Sequence, residues 1–160
     1  MITITLTPSE QRIARWLAQS RYEANRAAYT TNQRMGPQSD EQTDIEGIGA
    51  ELAFCKLNNL YPDLSTDHRP NEDAMLHNGA RVDVKATQYR SGRLLVAAWK
   101  IKIAADIYAL MVGKFPTYQY AGFATREEVF DPNNVNDLGH GEAYTIPQDR
   151  LRMRLYTDGL

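Results

Sequence analysis

The chain has 160 residues, 42% apolar and 24% charged, with a formal net charge of −2 and one cysteine, Cys55. That apolar share excludes a disordered chain, and the length suits a single domain that buries a core of its own. A lone cysteine excludes a disulfide scaffold and a cysteine-rich zinc module, while Lys100, Lys102 and Asp106 interrupt the longest apolar stretch, so no membrane span is expected.

Met1 to Leu6 alternates polar and apolar residues and has neither the basic nor the apolar run of a secretory leader, so the expected location is the cytoplasm. Thr7-Pro8-Ser9-Glu10 is a capping box with proline at the first helical position. Ile13, Trp16, Leu17 and Ala24 then recur at helical spacing and predict a helix over about 8–30. Gly36 and Pro37 mark a loop over 31–40. Thr43-Asp44-Ile45-Glu46 is a second capping box, and Ile45, Ile48, Leu52 and Cys55 form one apolar stripe, which predicts a helix over about 43–58. Residues 61–70 read as a loop.

The period then changes to two. Asp73 to Leu76, the turn His77-Asn78-Gly79, and Ala80 to Thr87 predict a β-hairpin. Leu94 to Trp99, Ile107 to Val112 and Tyr118 to Phe123 follow as strands. Thr125 caps a short helix toward Phe130, and Ala143 to Ile146 adds a last strand before Pro147. The predicted class is α+β: helices, a meander of strands and a short helix, with a central mixed sheet of four to five strands flanked by helices. One domain is expected over 1–160, with its core at about 43–125.

The near-neutral charge is an average of unlike segments. Residues 8–35 carry five arginines against Glu10 and Glu23, whereas 36–51 hold Asp40, Glu41, Asp44, Glu46 and Glu51 with no basic residue. From 81 to 102 the balance is basic, with Arg81, Lys85, Arg90, Arg93, Lys100 and Lys102 against Asp83; 127–149 is acidic.

Chemistry concentrates in Arg81-Val82-Asp83-Val84-Lys85-Ala86-Thr87. Alternation sends Ala80, Val82, Val84 and Ala86 to one face and Arg81, Asp83, Lys85 and Thr87 to the other. A three-residue loop with Gly79 left-handed pairs Leu76 with Ala80, Ala74 with Val82 and Asp73 with Asp83; a two-residue turn would set Glu72 opposite Lys85. The first register is preferred, because the second puts Leu76 beside Arg81. Adjacent carboxylates repel unless neutralised, and a hard divalent cation is the usual remedy. Lys85 is then placed to orient or deprotonate a water, or to offset charge on a phosphate.

Glu51 lies at the edge of the second helix's stripe and supplies a third carboxylate, with Gly47 and Gly49 thinning the helix before it. Glu46 is its rival, as Asp67 and Glu72 are to Asp73. Arg90, Arg93, Lys100 and Lys102 are candidate phosphate contacts; Thr87 and Tyr89 continue the Lys85 face, Tyr89 as a stacking surface for a base or sugar. His68, His77 and His140 lack zinc-ligand spacing, and Cys55 reads as a core residue. Neither a nucleophile elbow nor a glycine-rich phosphate loop is present.

The series Gly49-Ala50-Glu51-Leu52-Ala53, Asp73 and Asp83-Val84-Lys85 resembles the PD-(D/E)XK nuclease superfamily, the restriction-endonuclease-like fold, over about residues 43–125. Glu72 stands where that pattern has proline. The resemblance implies a small single-domain member in which Asp73, Asp83 and the Val84 carbonyl hold Mg²⁺, with Mn²⁺ able to substitute. It implies that Lys85 serves the attacking water and that Glu51 binds the metal or its water shell. The expected function is metal-dependent hydrolysis of phosphodiester bonds in DNA. The alternative is an inactive protein of the same fold that binds nucleic acid or a protein partner; an assembly protein using the acidic 127–149 surface is a third reading. Trp16 or Tyr22 on the first helix offers a homo-oligomer contact.

Overall fold

The computed structural model describes residues 1–27, 40–66 and 72–154. Its elements in chain order are β1 (Ile2–Thr5), α1 (Pro8–Ala27), α2 (Asp40–Leu57), β2 (Ala74–Met75), β3 (Arg81–Thr87) and β4 (Leu94–Ala97). A 3-10 segment, Ala98–Ile103, precedes β5 (Ile107–Lys114), β6 (Thr117–Thr125), α3 (Arg126–Val129), β7 (Val135–Asp137) and β8 (Glu142–Ile146). The loop expected at 31–40 and the second half of that at 61–70 fall largely outside the described residues.

The centre is a five-stranded mixed sheet in the order β1-β6-β5-β3-β2, and a second sheet runs β4-β8-β7. This is the predicted α+β class. The predicted meander is corrected, because β3 pairs in parallel with β5, Asp83 lying opposite Tyr108 and Lys85 opposite Leu110. Parallel neighbours need a crossover, and β4 with the 3-10 segment provides it from the other sheet. Arg81 and Asp106 tie the crossover's end to the start of β3. The Arg81 amide donates to the Asp106 carboxylate at 2.8 Å, and the Asp106 amide returns to the Arg81 carbonyl at 3.0 Å.

The central sheet is covered on both faces, which is why β5 reads as an almost unbroken apolar run. Ala109 and Met111 join Val82, Val84, Tyr118 and Tyr120 against α1 and α2. Tyr108, Leu110 and Val112 turn the other way, to Leu94, Val96, Val129 and Ile146. In β6 the pairing skips Ala121, with Leu110 opposite Gly122 and Met111 opposite Tyr120. This bulge switches parity, so Tyr120 and Phe123 share a core although three positions apart.

Helix α1 starts where expected, with Thr7 and Glu10 exchanging side-chain-to-backbone bonds. Its buried face is Ala14, Leu17, Ala18 and Arg21, while Ile13 and Trp16 are exposed. The buried stripe thus lies one position beyond the one that the larger side chains suggest. Helix α2 begins at Asp40, ahead of the predicted Thr43 cap. Glu46 does not close a capping box there; its carboxylate accepts the Phe115 amide at 2.8 Å and the Tyr118 hydroxyl at 3.2 Å. Ala50, Ala53 and Phe54 are buried along with Ile48, Leu52 and Cys55 of the predicted stripe, while Ile45 is half-buried, as befits a helix packed between α1 and the sheet. The predicted strand at 94–99 ends at Ala97, and the expected cap at Thr125 is a full capping box with Glu128.

Candidate active site

The hairpin has the preferred register, with Ala74 opposite Val82 and Met75 opposite Arg81. The Leu76 amide donates to the Ala80 carbonyl at 2.9 Å, closing the three-residue loop, and Gly79 has φ +86°, a conformation in which glycine carries no Cβ penalty. Past Ala74 the ladder stops. Asp73 donates its own amide to the Val82 carbonyl at 2.8 Å and aims its carboxylate along the partner strand, where it accepts the Val84 amide at 2.7 Å. Asp73 is thereby fixed beside the backbone between Asp83 and Lys85.

Val82 and Val84 face the helical layer, so Asp83 and Lys85 project to the opposite face of the sheet. Asp83 is only 3% exposed. A buried carboxylate needs cationic partners, and two lysines supply them. Lys85 Nζ lies 2.5 Å from Oδ1, and Lys100 Nζ lies 3.0 Å from Oδ2. Lys100 reaches in from the 3-10 segment, so the crossover delivers it to a strand residue seventeen positions earlier.

Glu51 sits on the helical side. Its Oε2 is 3.3 Å from Arg21 Nη1, and Arg21, 5% exposed, also donates to the Ser65 carbonyl at 3.1 Å and the Asp63 carbonyl at 2.8 Å. Gly49 permits the approach of α2, since a Cβ there would overlap the Tyr118 hydroxyl. Gly47 has no such role, because a Cβ there would meet nothing within 4 Å. Glu51 and Asp83 thus belong to opposite sides of the sheet, and Asp73 at its edge feels both.

The electrostatics follow this layout. Burial first, then the negative charges of Glu51 and Asp83, push the Asp73 carboxyl well above the usual range, against the pull of Lys85 and the Val84 amide. Burial disfavours the Lys85 ammonium, but Asp83 beside it outweighs that and leaves its pKa raised. For Lys100 burial prevails, aided by Lys85, and the pKa is lowered. Burial, with Glu51 and Asp73 nearby, pushes the Cys55 thiol up to about 12, consistent with an inert core residue.

The remaining candidates spread outward. Thr87 is half-buried and accepts the Tyr89 amide at 3.3 Å, and Tyr89, Arg90, Arg93 and Lys102 are exposed. Gln148 braces the loop between β3 and β4 through the Arg90 and Gly92 carbonyls, at 2.9 and 2.8 Å. Lys100, expected among the phosphate contacts, is instead held by Asp83. Glu46 is engaged with the β5–β6 turn, and Asp67 lies outside the described residues. Arg21 is a site residue that sequence reasoning overlooks, although Ala14, Leu17, Ala18 and Arg21 form a stripe at helical spacing. Nothing local in the sequence marks Lys100 as a partner of Asp83.

A hard divalent cation suits the donors in kind: Glu51, Asp73, Asp83 and the Val84 carbonyl are all oxygen ligands, and the like charges around Asp73 are what such an ion relieves. As arranged, both Asp83 oxygens are engaged by ammonium groups, and among the described residues no three His, Cys, Asp or Glu side chains gather at ligating spacing. A cation would therefore have to take the place of an ammonium at Asp83. Among the described residues, no helix is long and apolar enough to cross a membrane. A family model described as "Family of unknown function (DUF5843)" matches residues 2–157, and the chain belongs to that family. No curated protein matches it.

Proposed function

We propose that this member of the DUF5843 family is a Mg²⁺-dependent nuclease of restriction-endonuclease-like type that hydrolyses phosphodiester bonds in DNA. The observation that carries the reading is Asp73. Its carboxylate is fixed on the Val84 amide, in the field of Glu51 and Asp83 and beside Lys85. These are the residue types that phosphodiester hydrolysis needs, placed at one edge of a sheet.

Asp73, Asp83 and the Val84 carbonyl would hold the cation, with Glu51 in its water shell. When bound it supplies Lewis acidity and offsets the negative charge that builds on phosphorus. Lys85, kept as an ammonium by Asp83, orients the attacking water by donating to it and stabilises a phosphate oxygen. Arg90, Arg93 and Lys102 take up phosphates along the strand, and exposed Tyr89 stacks on a base or sugar.

The test is cleavage of plasmid and single-stranded DNA in Mg²⁺ or Mn²⁺ by the wild type, Asp83→Ala and Lys85→Ala. Loss in both variants is the expected result; equal cleavage by all three overturns the assignment. The double engagement of Asp83 by lysines favours a second reading, an inactive nucleic-acid-binding protein. Salt-sensitive DNA binding without cleavage or Mn²⁺ uptake would select it.

A further inference from the structure

Asp83 is held by two cations that reach it from different kinds of element. Lys85 leaves the same strand two residues on, and its stem stays beside Asp83 as long as the sheet exists. Lys100 belongs to the 3-10 segment Ala98–Ile103, none of whose residues is buried and which pairs in neither sheet. Trp99, Ile101, Lys102 and Ile103 around it are exposed. Lys100 can therefore leave Asp83 without breaking a strand ladder.

While paired with Asp83, the Lys100 ammonium also lies over the ring of Trp99, 5.8 Å from its centroid, and Trp99 is 53% exposed. Arg21 at Glu51 makes an instructive contrast. It is buried and bonded to two loop carbonyls besides the carboxylate, so it is a structural clamp. Lys100 donates to Asp83 from a surface segment. By formal charge Arg21, Lys85 and Lys100 balance Glu51, Asp73 and Asp83, and a divalent ion added to that set leaves an excess positive charge that favours release of the cation carried by a segment outside both sheets.

We propose that Lys100 is the built-in counter-ion of this site, an ammonium that occupies the second oxygen of Asp83 until a divalent cation displaces it. The inference rests on the nuclease reading above and adds regulation to it. Once displaced, Lys100 joins Lys102 on the exposed surface, where a DNA phosphate can pair with it. Metal and nucleic acid then bind cooperatively, since each stabilises the arrangement that the other needs.

The test is calorimetric titration of Mn²⁺ into the full chain as wild type, Lys100→Met, Lys100→Arg and Asp83→Asn, with folding checked by circular dichroism. Lys100→Met is expected to bind Mn²⁺ about tenfold more tightly than the wild type, the order of effect of removing one close competing charge. Lys100→Arg, which keeps the charge and the packing, should bind no more tightly than wild type, and Asp83→Asn should bind weakly. A non-hydrolysable single-stranded DNA should tighten Mn²⁺ binding to the wild type and have a smaller effect on Lys100→Met. Equal Mn²⁺ affinity in the wild type and Lys100→Met overturns the role of Lys100 and leaves the metal reading intact. Binding by neither folded protein overturns both.

Discussion

The carboxylate of Asp73 and the amide of Val84 are joined at 2.7 Å, so the first hairpin arm is bonded to the second between Asp83 and Lys85. Holding Asp73 there costs stability, because burial and the charges of Glu51 and Asp83 raise its pKa. A carboxyl raised in the folded chain binds its proton more tightly there than in the unfolded chain. Its contribution is therefore most favourable below the unfolded value of about 3.9, and stability falls as pH rises from there through the folded value. Asp73→Asn keeps an acceptor for the Val84 amide and removes the charge. In metal-free buffer it should raise the urea midpoint at neutral pH and flatten that pH-dependent fall; in Mg²⁺ it should abolish cleavage.

Gly49 and Gly47 make a matched pair on α2. The Tyr118 hydroxyl that a methyl at 49 would strike is bonded to the Glu46 carbonyl at 3.1 Å and so cannot swing aside freely. Gly49→Ala should destabilise the chain by about 1–3 kcal/mol through overpacking. Gly47→Ala meets nothing within 4 Å and should stabilise it by about 0.5–1 kcal/mol. Urea unfolding of both variants reads the difference in sign.

Arg21 gathers α1, α2 and the segment at Asp63 and Ser65 through one guanidinium. Arg21→Met should cost about 3 kcal/mol, since it removes the cation from a buried pair along with two bonds to carbonyls. Arg21→Lys should recover little of it, because an ammonium cannot reproduce the planar fork. Chemical denaturation measures both.

The outer cations should separate from the engaged ones by salt dependence. Arg93→Gln and Lys102→Gln should each reduce the slope of log affinity against log salt for DNA by about one, uniformly across sequences. Lys100→Gln, without divalent metal, should leave the slope nearly unchanged, because Asp83 holds that charge. Fluorescence anisotropy over a salt series checks all three.

Local chemistry makes much of the fold legible. The capping boxes at Thr7 and Thr125, the glycine-tipped hairpin and the doubly buried β5 are each encoded within a few residues. What the sequence hides are decisions made at long range. Thr43 has the look of a cap because Glu46 follows at the right spacing, yet Phe115 and Tyr118 claim that carboxylate. Alternation places Asp83 and Lys85 on one face correctly, but the face covered by α2 is fixed by Val82 and Val84, so Glu51 meets the motif at an edge. The partnership of Lys100 with Asp83 depends on the parallel crossover, which no periodicity announces. Ile2 to Leu6 alternates clearly enough for a strand, but its partner is β6, far along the chain.

That last pairing bears on how the molecule assembles during synthesis. The Thr5 and Thr117 hydroxyls lie 3.1 Å apart across 112 positions, at the junction of β1 and β6. Ile4 and Leu6 thus leave the ribosome long before the strand that shelters them has been translated. Closing so large a loop carries a heavy entropic toll, and non-local strand pairing forms slowly. β1 can join the sheet only once β6 has been made, because β6 is the strand it pairs with. Until then the alternating segment Ile2 to Leu6 lacks the strand that completes its ladder.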